Sequence, residues 1–250
     1  MPRYFLELAY KGSAYSGFQT QENARTIQSE VGRALEILFR RSFGLTGSSR
    51  TDAGVHARQN FFHFDGDVEI SNRHIYNLNA LLPHDIVTKG IYEVPATAHC
   101  RFDAESREYK YLIYSKKDPF LADRGWMFPY PVNLEPMQAA ASLLIEYQDF
   151  TSFSKRNTQV KTHLCSIQLS AWGYEGSSLV YTVRANRFLR GMVRGLVGTM
   201  LKVGRGQMSL EEFRQVIERK DSSRADFSSP AQGLFLMAVN FPEDIARLLR

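Results

Sequence analysis

The segment Arg50-Thr51-Asp52-Ala53-Gly54-Val55-His56 sets a carboxylate among small residues, with a guanidinium two positions before it. A carboxylate in a cleft can act as a nucleophile or a base only while ionised. Burial raises its pKa unless a cation stands nearby. A lone loop aspartate more often caps its own turn through the backbone, so Asp52 gains meaning from its company. Arg50 is one candidate partner. Arg194 is another: it lies in the apolar run Phe188-Leu189-Arg190-Gly191-Met192-Val193-Arg194-Gly195-Leu196-Val197-Gly198, which reads as mid-helix, and arginines in such surroundings are rarely unpaired. The plainer reading makes Arg187, Arg190 and Arg194, spaced i, i+3, i+7, an exposed phosphate-binding stripe on one helix face.

Glu108-Tyr109-Lys110-Tyr111-Leu112-Ile113-Tyr114 alternates as a strand, and its tyrosines are candidates for the core. If Tyr109 faces a cleft, it can stack on an extruded base, a contact worth about 1–3 kcal/mol. Other motifs carry less. Ser152-Phe153-Ser154-Lys155 matches the SxxK pattern without the remaining parts of a penicillin-recognising enzyme. The glycines of Gly195–Gly198 and Gly204–Gly206 form no phosphate-binding fingerprint. The six histidines show no metal-ligand spacing, and Cys100 and Cys165 are too few and too far apart for a zinc site, so reduced buried thiols are expected.

These residues need elements to position them. Tyr4, Leu6, Leu8 and Tyr10 alternate as an opening strand. Thr26 is placed to cap a helix to about Arg41, with Ile27, Val31, Leu35, Leu38 and Phe39 on one face. Extended stretches at Phe43–Ser49 and Gln59–Asp65 flank the Asp52 loop. A helix follows from Ser71 to before Pro83, then a strand at Ile86–Val94. The order β-α-β-β-α-β repeats with a strand at Arg107–Ser115, a helix from Leu134 to about Glu146, and a hairpin of His163–Tyr174 with Leu179–Ala185. It ends with a long helix from about Arg187 to Val203 and a strand at Leu234–Asn240; an extra helix begins at the capping box Ser209–Glu212. The expected class is α+β, with two ferredoxin-like (RRM-like) βαββαβ lobes, adjoining antiparallel sheets and a central cleft. The lobes are expected at 1–104, carrying the Asp52 loop, and 105–250, carrying Tyr109 and the arginine helix.

With 250 residues, 44% hydrophobic and 23% charged, the chain can bury one large core or two modest ones. The first residues are too short a run for a signal peptide, and no stretch approaches ~18 consecutive apolar residues, so a cytoplasmic protein with no membrane span is expected. The net charge of +5 is unevenly spread. No acidic residue lies between Glu175 and Glu211, a stretch that holds Arg184, Arg187, Arg190, Arg194, Lys202 and Arg205. Lys155, Arg156 and Lys161 form a second cluster. Segregated positive charge suits a polyanionic partner, because neutralised phosphates release counterions; an ordinary solvated basic face is the alternative.

Beyond these elements, the segment Arg50–Ala57 resembles the catalytic segment of the tRNA pseudouridine synthase A family. The likeness continues in family order through His84-Asp85-Ile86, Arg101-Phe102-Asp103-Ala104, Tyr109-Lys110-Tyr111, Asp149-Phe150-Thr151-Ser152-Phe153, Asn186-Arg187-Phe188-Leu189 with Met192-Val193-Arg194, and Gly233-Leu234-Phe235-Leu236. It implies isomerisation of uridine to pseudouridine at tRNA positions 38 to 40, in the anticodon stem-loop, by a homodimer without cofactor or metal. On this resemblance Asp52 matches the essential aspartate, Tyr109 a tyrosine contacting the target base and Arg194 the arginine paired with the aspartate. Arg50 matches a basic residue taking the place of the flipped base, and Leu234 an apolar residue lining the pocket. Arg187, Arg190 and Lys155 are further candidates for RNA contact. Two departures stand out: Ser49 replaces a more usual glycine, and the Ser154–Cys165 loop is not the commonest version. No terminal extension for targeting or extra binding modules is expected. Two other classes compete: a non-catalytic RNA-binding protein on the same lobes, and a nucleoside hydrolase, which would need a second catalytic acid that the sequence does not offer beside Asp52.

Overall fold

The opening strand β1 (Arg3–Tyr10) is buried along almost its whole length, as its apolar run requires of a central strand. The computed structural model describes residues 1–156 and 160–249; residues 157–159 of the Ser154–Cys165 loop lie outside the described residues. Helix α1 (Ile27–Phe39) follows, with Thr26 as its N-cap in a reciprocal capping box with Ser29 and Ile27, Val31, Ala34 and Leu35 buried. Next come β2 (Thr46–Gly47), β3 (His56–Asp65), α2 (Ile75–Leu81) beside α1, and β4 (Ile86–Val94). β1 pairs antiparallel with both β3 and β4, and β2 pairs with β3. Tyr10 at the end of β1 faces Ala57 on one side and Ile86 on the other, so the Asp52 loop and the Asp85 corner leave the sheet at the same end. The expected strand at Phe43–Ser49 shortens to two residues. Phe43 instead turns its ring against Phe39 and Phe64.

Then follow β5 (Ser106–Tyr114), β6 (Trp126–Met127), α3 (Leu134–Leu143), β7 (Ile167–Glu175), β8 (Ser178–Ala185), α4 (Met192–Gly204) and α5 (Leu210–Glu218). β5, β8 and β7 form an antiparallel set, with β6 parallel to β5. α3 packs on α4, α5 and β7, where Trp172 donates its indole N–H to Met200 Sδ at 3.4 Å. Two expectations shift here. The hairpin's first strand begins at Ile167 rather than His163, and the arginine helix begins at Met192 rather than Arg187. Gly191 holds the left-handed region at φ 74°, which ends any helical run from the preceding residues.

The chain closes with β9 (Leu234–Asn240) and α6 (Glu243–Leu248). β9 lies beside β3, and Phe241 beyond it packs on Phe5 and Phe61. The chain accordingly divides into two units, Met1–Ser106 with Leu236–Arg250, and Arg107–Phe235. The last fifteen residues thus group with the first unit, whereas patterning had assigned 105–250 to one lobe. The whole is a mixed α+β protein of mostly antiparallel strands. Among the described residues, no helix is long and apolar enough to cross a membrane.

Candidate functional site

In the first unit, Asp52 starts a tight turn. The Val55 amide donates to the Asp52 carbonyl at 3.1 Å, and Gly54 has φ 81°. A positive φ at the third residue is what a type II turn needs, and glycine adopts it without steric cost. The turn is therefore closed by backbone and glycine, not by the aspartate side chain. Asp118, Asp149, Asp221 and Asp226 behave otherwise, each accepting a backbone N–H two residues on. Asp52 accepts no such bond and has no ion-pair partner within its own unit among the described residues, although it is only half exposed. The turn-capping explanation of Asp52 fails.

Both flanks of the turn are pinned. The Tyr10 and Thr51 hydroxyls share a 2.7 Å hydrogen bond in the interior. Asn60 donates to Tyr10 at 3.1 Å and to the Ser49 carbonyl at 2.8 Å. Phe18 N–H donates to the Thr51 carbonyl, and Gly12 N–H to His56 Nδ1 at 3.0 Å. Gly12 admits no side chain, since a Cβ there would lie 2.0 Å from the Val55 carbonyl oxygen. Ser49 is buried with no partner for its hydroxyl. Arg50 is exposed.

The other candidates belong to the second unit. Tyr109 is buried on β5 opposite Val183, its ring edge-on to Phe188 at 5.0 Å. Arg194 is the third residue of α4, not a mid-helix residue, and its Nε donates to the Ser229 carbonyl at 2.6 Å. A guanidinium in a first turn lies at the positive end of the helix dipole, so the two together favour an anion. No carboxylate of the second unit pairs with Arg194 among the described residues. Tyr111 is a core tyrosine, as the alternation of β5 suggests, but its hydrogen bond was not foreseen. Its hydroxyl donates to the Pro230 carbonyl at 2.7 Å, and burial pushes that phenol well above its usual range. Tyr111 and Arg194 therefore grip adjacent carbonyls of the segment leading to Leu234, which is itself buried. The available signal was Gly233, where a Cβ would lie 2.7 Å from the Tyr111 ring.

Arg187 and Arg190 precede α4, so the helical stripe of three arginines does not form. A different grouping takes its place. The Lys155 amide donates to the Arg190 carbonyl at 3.0 Å, and the Lys155 stem lies over Gly191. Two other cations of the acid-free stretch are matched, Arg184 with Glu108 at 3.4 Å and Lys202 with Asp226 at 3.4 Å. Arg187 and Arg190 have no carboxylate partner in their unit among the described residues. A depression of about 240 Å3, lined by Ile113, Tyr114, Phe128 and Tyr130 among others, lies toward the far end of β5 and contains none of these residues.

The first unit thus presents an aspartate that its own turn does not use, and comparison with known proteins supplies the class of the chain. A family model described as tRNA pseudouridine synthase matches residues 140–242. A protein of Parabacteroides distasonis named tRNA pseudouridine synthase A is 46% identical over 98% of each chain. Proteins of the same name from Bacteroides thetaiotaomicron (44%, over 98% of this chain and 93% of that one) and Porphyromonas gingivalis (43%, over 98% and 99%) are similar throughout. The chain belongs to the tRNA pseudouridine synthase A family, a family of isomerases.

Proposed function

We propose that this protein isomerises uridine to pseudouridine in tRNA, at positions 38 to 40 of the anticodon stem-loop, with Asp52 as the catalytic carboxylate. The observation that carries the reading is the Asp52 turn: its closure makes no use of the carboxylate, in a chain related along its length to named synthases. The reaction breaks the uridine N1–C1′ bond, turns the base and forms a C5–C1′ bond; C5 gives up its proton to solvent and N1 takes one up, so the product is an isomer. No electron leaves or enters, and ordinary side chains suffice. The target must first leave its stack, at a cost of a few kcal/mol recovered from pocket contacts. An ionised Asp52 then acts at the sugar, either attacking C1′ or removing the C2′ proton.

The remaining roles follow from the resemblance. Arg194 is the cation that keeps Asp52 ionised, Tyr109 contacts the target base, Leu234 lines its pocket and Arg50 fills the place it vacates. Arg187, Arg190 and Lys155 bind RNA phosphates. Each unit is proposed to be ferredoxin-like. The pairings support this: first strand on third and third on second, as β1–β3–β2 and β5–β8–β7. The lobe boundary near residue 105, a homodimer and a cytoplasmic setting, where tRNA is found, complete the reading.

Tritium release from tRNA labelled at uridine C5 tests it. The wild type is expected to release tritium and Asp52→Asn none, with tRNA affinity within a few-fold. Normal release by Asp52→Asn would overturn the assignment of that residue. Binding without release by the wild type would favour a plain RNA-binding protein, and free uracil a hydrolase. Mapping pseudouridine in tRNA from cells with and without the protein fixes the positions.

A further inference from the structure

Segment 11–18 embraces the Asp52 turn on both sides. Downstream, Gly12 lies against the Val55 carbonyl and donates its N–H to His56. Upstream, Gly17, at φ 100°, passes so close that a Cβ there would lie 3.2 Å from the Thr51 carbonyl oxygen and 3.7 Å from the Asp52 carbonyl carbon. Phe18 N–H then donates to the Thr51 carbonyl at 3.1 Å. The position of this segment therefore sets the position of the turn. Its middle residue, Tyr15, is only 4% exposed and reaches away from the turn, donating its hydroxyl to Asp85 Oδ1. The Asp85 carbonyl also accepts the Lys11 amide at 2.9 Å, so one residue at the head of β4 holds the segment at two points. The Arg25 guanidinium covers the Tyr15 ring at 5.0 Å, and Ser16 N–H donates to the Arg25 carbonyl, closing the other side.

We infer that Tyr15 and Asp85 are positioning residues for Asp52: their hydrogen bond fixes segment 11–18, and through it the turn that aims the carboxylate. A misplacement of about 1 Å at a reacting group can cost on the order of 100-fold in rate, whereas substrate binding by distant contacts is untouched. The catalytic consequence rests on the reading of Asp52 given above; the positioning itself does not.

The test uses the full chain with Tyr15→Phe, which keeps the buried ring and the Arg25 contact, with Asp85→Ala, with both together, and with Asp85→Asn. Amide hydrogen exchange reads position without reference to activity. Exchange at Phe18 and Val55 is expected to quicken at least tenfold in Tyr15→Phe and Asp85→Ala, with amides in the middle of β1 unchanged. Tritium release from C5-labelled tRNA reads the consequence. kcat is expected to fall at least tenfold with KM within about threefold, the double variant no worse than the poorer single one, and Asp85→Asn, which keeps an acceptor, largely restored. Unchanged exchange at Phe18 and Val55 would overturn the inference, as would a lowered melting temperature with normal kcat. A wild type that releases no tritium would sink the functional reading, and the exchange data would still decide whether the pair positions the turn.

Discussion

The hydroxyls of Tyr10 and Thr51 meet at 2.7 Å inside the first unit, one residue before Asp52. Tyr10 ends β1, so this bond ties the approach to the turn directly to the sheet, and Asn60 donates to the same tyrosine oxygen. Thr51→Val is close to isosteric but removes the Thr51 hydroxyl from this bond, while the Asn60 contact to the Tyr10 oxygen stays. The expected cost is about 1–3 kcal/mol in stability together with a lower kcat. Tyr10→Phe combined with Thr51→Val removes both partners and should recover much of the stability. Denaturant melts of the two single variants and the double variant check this, and a strictly additive double loss would contradict the coupling.

Gly54 gives a sharper handle on the turn. Its φ of 81° disfavours any residue with a Cβ, so Gly54→Ala strains the backbone by about 1–2 kcal/mol. The Asp52 backbone is one end of the strained turn, and the strain relaxes by moving it. Gly54→Ala is expected to lower kcat at least tenfold with tRNA affinity within a few-fold, measured by single-turnover tritium release. A rise in Kd with an unchanged single-turnover rate would show that the turn serves binding instead.

Much of this arrangement was legible in the residues, and the parts that were not have physical causes. An N-cap threonine announced α1 and a capping box α5, because Thr26 and Ser209 supply side-chain oxygens that accept the first free amides of a helix. β4 and β9 run where the apolar alternation put them. α4 begins five residues later than its periodicity suggested: Phe188, Leu189, Met192 and Val193 keep helical spacing across a glycine that breaks the helix, and spacing is blind to φ. α6 had a readable start, Pro242 followed by Glu243 and Asp244, but too few residues for a period. The family motif marked Asp52, yet nothing local to it pointed to Tyr15 or Asp85, because that relation runs through a strand corner more than thirty residues away.

For RNA binding, the pairing of Lys155 and Arg190 through their backbones predicts a joint contribution. Lys155→Ala and Arg190→Ala should each weaken tRNA binding and reduce the slope of log K against log salt by about one. Arg184→Ala, whose guanidinium already faces Glu108, should alter the slope little. Filter binding from low to moderate salt distinguishes these; an equal effect from Arg184→Ala would mean that net charge alone governs affinity.

Stability in acid is expected to depend on His63. His63 is buried beside His99 and hydrogen-bonded at Nδ1 by the Cys100 amide; burial first, then the charges of His99 and Arg3, hold its pKa down to about 4. An unfolded histidine titrates near 6.5, so between pH 6.5 and 4 the unfolded chain binds a proton that the folded chain refuses. Stability from this group is complete above 6.5 and declines as pH falls toward 4, by up to about 3 kcal/mol at the full shift. His63→Gln fills similar space without titrating there. Its stability, lower than that of the wild type at pH 8 for the packing it disturbs, should fall less steeply between pH 6.5 and 4. Urea melts at half-unit pH steps give both curves, and parallel slopes through that window would show that the acid loss arises elsewhere.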